Sequence, residues 1–130
     1  MKRKFLDDIG YTERWDKLRY KGKAAAKYKE QRKEWGFDAR ETFSLNWAFY
    51  EWLYERLIVY RDVGGKVVNL SYHKFEYNGQ EYTQLELINK LIEELKWALT
   101  DEEADVTIEN YNRLMEIGKM WAIILPAMWW

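Results

Sequence analysis

The chain has 130 residues, 48% of them hydrophobic and 33% charged, enough apolar content for one core and too much charge for a membrane-spanning protein. It contains no cysteine and one histidine, His73, which excludes disulfides, thiolate nucleophiles and a multi-histidine metal centre within one chain and suits a reducing, cytoplasmic compartment. The net charge of −1 hides an asymmetry: residues 1–35 carry twelve Lys/Arg against six Asp/Glu, and the rest nine against sixteen, so a basic segment precedes an acidic body and suits an anion or another copy's acidic face.

The start, Met1 to Phe5, is basic, but Asp7 and Asp8 interrupt the apolar run a signal peptide needs. A first helix is expected over about 12–35, where Trp15, Leu18, Ala25, Tyr28 and Trp35 recur at helical spacing among lysines and arginines. Gly36 is placed to cap its end. Asp38-Ala39-Arg40-Glu41 reads as a capping box with Ser44 as a second N-cap, so an aromatic helix over about 44–61 should follow. Its residues Leu45, Trp47, Ala48, Phe49, Tyr50, Trp52, Leu53, Tyr54, Leu57, Ile58 and Tyr60 are apolar or aromatic nearly all round, as in a helix central to a fold or at an interface.

Residues 66–82 are the one β-like stretch. Asn78-Gly79, between Phe75-Glu76-Tyr77 and Gln80-Glu81-Tyr82, is the strongest short hairpin signal, and Val67 and Val68 can add a third short strand. Thr83-Gln84-Leu85-Glu86 is a capping box opening a helix over about 84–99, with Leu85, Ile88, Leu91, Ile92, Leu95 and Leu99 as its stripe. Thr100-Asp101-Glu102-Glu103 repeats the device for a last helix over about 101–125, with Val106, Tyr111, Leu114, Met115, Gly118, Trp121 and Leu125 facing inward. Pro126 should stop it, leaving the tail Ala127-Met128-Trp129-Trp130. Met120 to Trp130 is about half the roughly 20 residues of a spanning helix. The fold class expected is one mainly α domain over 1–130, with about four helices and a small β-hairpin between the second and third.

No catalytic constellation is legible. Glu51 and Glu55 share a helix face, where burial can raise a carboxyl pKa, but a polar stripe paired with Arg56 or with the basic first helix explains them better. The acidic run at 101–105 suits a helix start better than a cation site, lacking the spacing of a calcium loop. His73 has no evident catalytic partner, and Gly64-Gly65 lacks the phosphate-loop pattern. Neither a metal nor a cofactor is expected, and binding is expected ahead of catalysis.

The eight Trp, ten Tyr and five Phe exceed what one small interior needs, so some should reach the surface or an interface. Aromatic faces stack bases while arginines meet phosphates; the mild overall acidity argues against polymeric nucleic acid. The candidate binding residues are Trp35, Arg40, Trp47, Tyr50, Trp52, Arg56, Tyr60, Arg61 and His73, with Arg32 as a further phosphate contact. A homo-oligomer is expected.

The stretch Trp35-Gly36-Phe37-Asp38-Ala39-Arg40-Glu41-Thr42-Phe43-Ser44-Leu45-Asn46 resembles a segment of a widespread group of short, uncharacterised tailed-bacteriophage proteins, in which a Gly-aromatic-Asp turn leads to an acidic-Thr-aromatic-Ser-Leu helix start. Arg56-Leu57 with Tyr60, the His73-Lys74-Phe75-Glu76-Tyr77 block and the Thr83 helix start extend the likeness over roughly residues 35–99. The resemblance implies a phage origin, action in the cytoplasm of an infected bacterium and no catalytic residues to carry over. It is consistent with a counter-defence protein that sequesters a small anionic ligand such as a nucleotide immune signal. An inhibitor of a host defence protein, or a phage structural or assembly protein, is the alternative.

Overall fold

The structure, a computed structural model, describes residues 3–11 and 22–130. It is mainly helical, as expected. The described residues form α1 (Lys4–Asp8), α2 (Lys23–Trp35), α3 (Leu45–Asp62), the strands β1 (Lys74–Tyr77) and β2 (Gln80–Thr83), α4 (Gln84–Thr100) and α5 (Ile108–Ile124), with short 3-10 turns at Ala39–Thr42, Gly64–Lys66 and Leu125–Ala127. The part of the expected first helix over 12–21 lies outside the described residues. No described helix is long and apolar enough to cross a membrane.

Local chemistry explains most boundaries. Gly36 ends α2 at φ 87°, its N–H donating to the Arg32 carbonyl, a left-handed cap that costs glycine little. The hairpin turns on Asn78 and Gly79, both at positive φ (49° and 77°), as a two-residue turn matched to strand twist requires, and it pairs Tyr77 with Gln80 and Lys74 with Thr83. Thr83 and Glu86 close the capping box of α4 in both directions, at 3.1 and 3.0 Å.

Three expectations are corrected. Val67 and Val68 form no strand; they follow the Gly64–Lys66 turn, and their N–H groups donate to the Gly64 carbonyl. The last helix begins at Ile108 instead of 101, because Asp101 spends its carboxylate elsewhere. It accepts from the Trp97 indole N–H at 3.0 Å and from the Glu103 N–H at 2.9 Å. That local turn competes with helix propagation and drops Ala104 into the core. Thr107 is the true N-cap, accepting from the Asn110 N–H at 3.0 Å. The inner face of α5 is also rotated from the expected one: Leu114, Ile117, Met120 and Ile124 are buried, whereas Val106, Tyr111, Met115 and Leu125 are exposed.

The core centres on α4, packed between α3 and α5. Leu87, Ile88, Leu91, Leu95 and Ala98 have no accessible surface. Trp47, Leu53, Tyr54 and Leu57 of α3 cover one side, and the four buried residues of α5 the other. The hairpin leans on α5 through buried Tyr77, whose hydroxyl donates to Glu116 at 2.5 Å. Burial, more than Glu116 itself, pushes the Tyr77 phenol up to about 12.

The rotated α5 face can be checked by mutation. Ile117→Ala should cost about 2–4 kcal/mol in chemical denaturation, as large-to-small core changes do, while Met115→Ala should stay within about 0.5 kcal/mol. A larger loss at Met115 than at Ile117 would restore the face expected from periodicity.

Candidate functional site

Three of the nine candidate binding residues (Arg40, Trp47 and Arg61), and Arg32 with them, are drawn into the body of the structure or into its fasteners. Arg40 is buried with Asp38: its Nε donates to Asp38 Oδ1 at 3.0 Å and its Nη2 to Oδ2 at 2.8 Å, while its guanidinium lies 4.7 Å from the Tyr28 ring centroid. Arg32 closes on the same carboxylate at 2.7 Å. These hydrogen bonds, Arg40's foremost, hold Asp38 far below the usual carboxylate range. Trp47 is core, 5.0 Å from Tyr50 between ring centroids. Arg61 is engaged by Asp62 at 2.8 Å and Asn89 at 3.1 Å on the surface.

Two more residues shape the exterior of α3. Trp52 stacks on Phe49 with centroids 6.2 Å apart and planes 16° apart, and Arg56 lies 4.7 Å over the Trp52 ring. Trp35 sits at the far end of α2 beside Phe37, half exposed. The paired carboxylates have a structural partner: Arg3 reaches Glu55 at 2.6 Å and Glu51 at 3.5 Å, and the Tyr11 hydroxyl donates to Glu51. They fasten α1 to α3. Among the described residues, no group of three or more Asp, Glu, His or Cys is placed to hold a metal.

Tyr60 and His73 do converge. They line a cleft of about 270 Å³ together with Asn69, Tyr72, Gln84 and Trp129. The cleft exists because the 67–73 loop is tied over the first turn of α4: the Gln84 and Leu85 N–H groups donate to the carbonyls of His73 (3.1 Å) and Leu70 (2.9 Å). The C-terminal tail forms the opposite wall. Its Ala127 carbonyl accepts from Gln84 Nε2 at 3.5 Å and its Trp129 carbonyl from the Tyr60 hydroxyl at 3.3 Å. Burial raises the Tyr60 pKa against the lowering effect of these partners, so its hydroxyl stays a neutral donor at physiological pH.

A second cleft of about 410 Å³ lies on the other side of Tyr60, lined also by Phe5, Glu55, Arg56, Val59 and Trp130. The tail therefore contributes one tryptophan to each cleft. Trp130 can lie there because residue 64 is glycine, where a Cβ would stand 2.6 Å from the indole Cδ1. Of the described residues lining the two clefts, only Arg56 carries a fixed positive charge. The first cleft offers ring faces (Tyr72, Trp129) and hydrogen-bonding groups (Asn69, Gln84, the Tyr hydroxyls, the His73 imidazole); the second adds the Arg56 guanidinium and, 3.9 Å from it, the Glu55 carboxylate. Such a set suits a planar ring with polar edges and an anionic extension.

Asn69, Tyr72, Gln84, Trp129 and Phe5 were not among the expected binding residues. Gln84 read as part of a helix cap and Tyr72 as part of the β-like stretch; only the aromatic surplus signalled a contact surface.

Two outcomes follow. Asp38→Asn should destabilise the protein by about 3 kcal/mol, since it removes the carboxylate to which buried Arg40 donates twice. Because the folded Asp38 pKa is lowered from 3.8, its stabilisation is fully present above about pH 4 and is lost as pH falls from there through the folded value. Denaturation of the Asp38→Asn variant should therefore show less pH dependence than wild type in that acid range. Gly64→Ala should expel the Trp130 indole with less than about 1 kcal/mol of stability lost, read as a solvent-ward shift of the Trp130 resonance in fluorotryptophan-labelled protein. No family model, curated protein or solved structure matches this chain.

Proposed function

We propose that this chain is a counter-defence protein of the bacteriophage kind its sequence resembles, acting in the cytoplasm of an infected bacterium by sequestering a small anionic ligand such as a nucleotide immune signal. The observation that carries the reading is the meeting of two clefts at Tyr60. A nucleobase would stack on Tyr72 or Trp129, with its edge hydrogen-bonded by Asn69, Gln84 or His73. A phosphate would reach Arg56 past Tyr60. Sequestration needs recognition without chemistry, and the clefts supply stacking surfaces and donors with the Glu51–Glu55 pair engaged by Arg3 and Tyr11.

A second reading, an inhibitor of a host defence protein or a phage assembly protein, is favoured by the exposed Phe49–Trp52 stack on α3. Solvent-exposed aromatics beside an arginine are the residue types that dominate protein interfaces.

The two readings separate experimentally. Incubation with a panel of cyclic nucleotides and adenine-dinucleotide derivatives, removal of free ligand and heat denaturation should return one of them intact. Tyr72→Ala or Trp129→Ala should weaken that retention about tenfold, as expected for loss of one stacking partner. Retention of none of the panel sinks the sequestration reading, and return of an altered nucleotide converts it to an enzyme. A stoichiometric host protein retained by the wild type and lost with Trp52→Ala supports the second reading.

A further inference from the structure

Among the described residues, α2 is incompletely covered. None of its thirteen residues is buried, and it rests on residues 37–43 through the Tyr28–Phe43 edge contact, the Gln31 side chain accepting from the Ala39 N–H at 2.8 Å, and the Arg32–Asp38 ion pair. A helix of this length draws most of its stability from packing. It carries five Lys/Arg against two Glu and ends in an aromatic pair, Trp35 and Phe37, with ring centroids 5.9 Å apart and 51% and 43% exposed; Phe43, against Tyr28 further back along the helix, is 51% exposed.

The complementary surface lies between α3 and α5. A groove of about 650 Å³ runs there, lined by Phe49, Tyr50, Tyr111, Leu114 and Met115 with Asp105 at its polar edge. Tyr111 and Met115 are 62% and 50% exposed, so among the described residues the groove is apolar and open. Residues 101–112, which lead into and begin α5, hold five Asp/Glu and no Lys or Arg. A basic arm tipped with aromatics thus coexists with an apolar groove under an acidic rim, on one chain.

We propose that a second copy of this chain fills the groove: the Trp35–Phe37 pair of each protomer enters the α3–α5 groove of its partner, while the lysines of α2 face the partner's 101–109 rim. Two copies related by a two-fold axis make this contact twice, a closed and self-complementary arrangement. The inference is independent of the ligand reading, since the groove is a different surface from the clefts at Tyr60. Charge complementarity is what selects a second copy over an unrelated apolar partner, because the same chain supplies both signs.

The test is a charge exchange read by analytical ultracentrifugation. Wild-type protein should sediment as a dimer at low salt, and high salt should weaken the dimer by screening the arm–rim attraction. Lys29→Glu with Lys33→Glu on the arm, and separately Glu102→Lys with Glu109→Lys on the rim, should each weaken self-association at least about tenfold. Mixing the two variants should restore a dimer, since the unaltered arm of one meets the unaltered rim of the other and the two reversed surfaces are again of opposite sign; that recovery also shows that both variants are folded. Met115→Glu in the groove should abolish the dimer with the arm unchanged. A wild-type monomer at all concentrations, an oligomer indifferent to both charge reversals, or a mixture that stays monomeric overturns the proposal.

Discussion

The arrangement depends on the burial of one helix face. α4 buries Leu87, Ile88, Leu91, Leu95 and Ala98 completely, with Ile92 and Leu99 nearly so. Each such Leu or Ile contributes about 1.5–3 kcal/mol relative to exposure, so α3 and α5 are held by what they cover on α4. The same burial explains where the aromatic helix ended up. α3 is flanking and not central, and it gives one side to α4 through Trp47, Leu53, Tyr54 and Leu57. Its remaining aromatics, Phe49 and Trp52 among them, have no interior left to enter.

That shortage of interior also organises the candidate site. The C-terminal residues past Ile124 have no helix to pack into, so Trp129 and Trp130 lie along the surface, pinned at the backbone by Tyr60 and Gln84. A tail held by main-chain hydrogen bonds leaves its side chains as walls, and one wall on each side of Tyr60 makes two clefts. A larger residue at Gly64 would close this arrangement off.

Most charged groups near the aromatics act as fasteners. Arg3 ties α1 to Glu51 and Glu55 on α3; Asp38 gathers Arg32 and Arg40; Arg113 joins Glu94 at 2.7 Å while its guanidinium lies 3.9 Å over the Trp97 ring. A partly buried ion pair of this kind contributes more to position than to net stability. Its consequence for ligand binding is a narrowing: of the arginines expected to meet phosphate, Arg56 is the one lining a cleft beside Tyr60.

Local signals in the sequence determined the α4 capping box at Thr83 and Glu86, the Asn78-Gly79 turn, the Gly36 cap, the apolar stripe of α4 and the aromatic surplus, because each depends on residues within a few positions of one another. The start of α5 misled for the same reason. Thr100-Asp101-Glu102-Glu103 looks like a capping box locally, but the Thr100 hydroxyl donates to the Lys96 carbonyl, and Trp97 and the Glu103 N–H claim the Asp101 carboxylate. Only the tertiary structure decided which face of α5 is inside, that Arg40 is internal, and that Tyr60 and His73 meet Gln84 and Trp129. Those outcomes turn on contacts between segments dozens of residues apart, such as Tyr60 with Trp129 and Tyr77 with Glu116, and periodicity along one element carries no record of which neighbour will cover it.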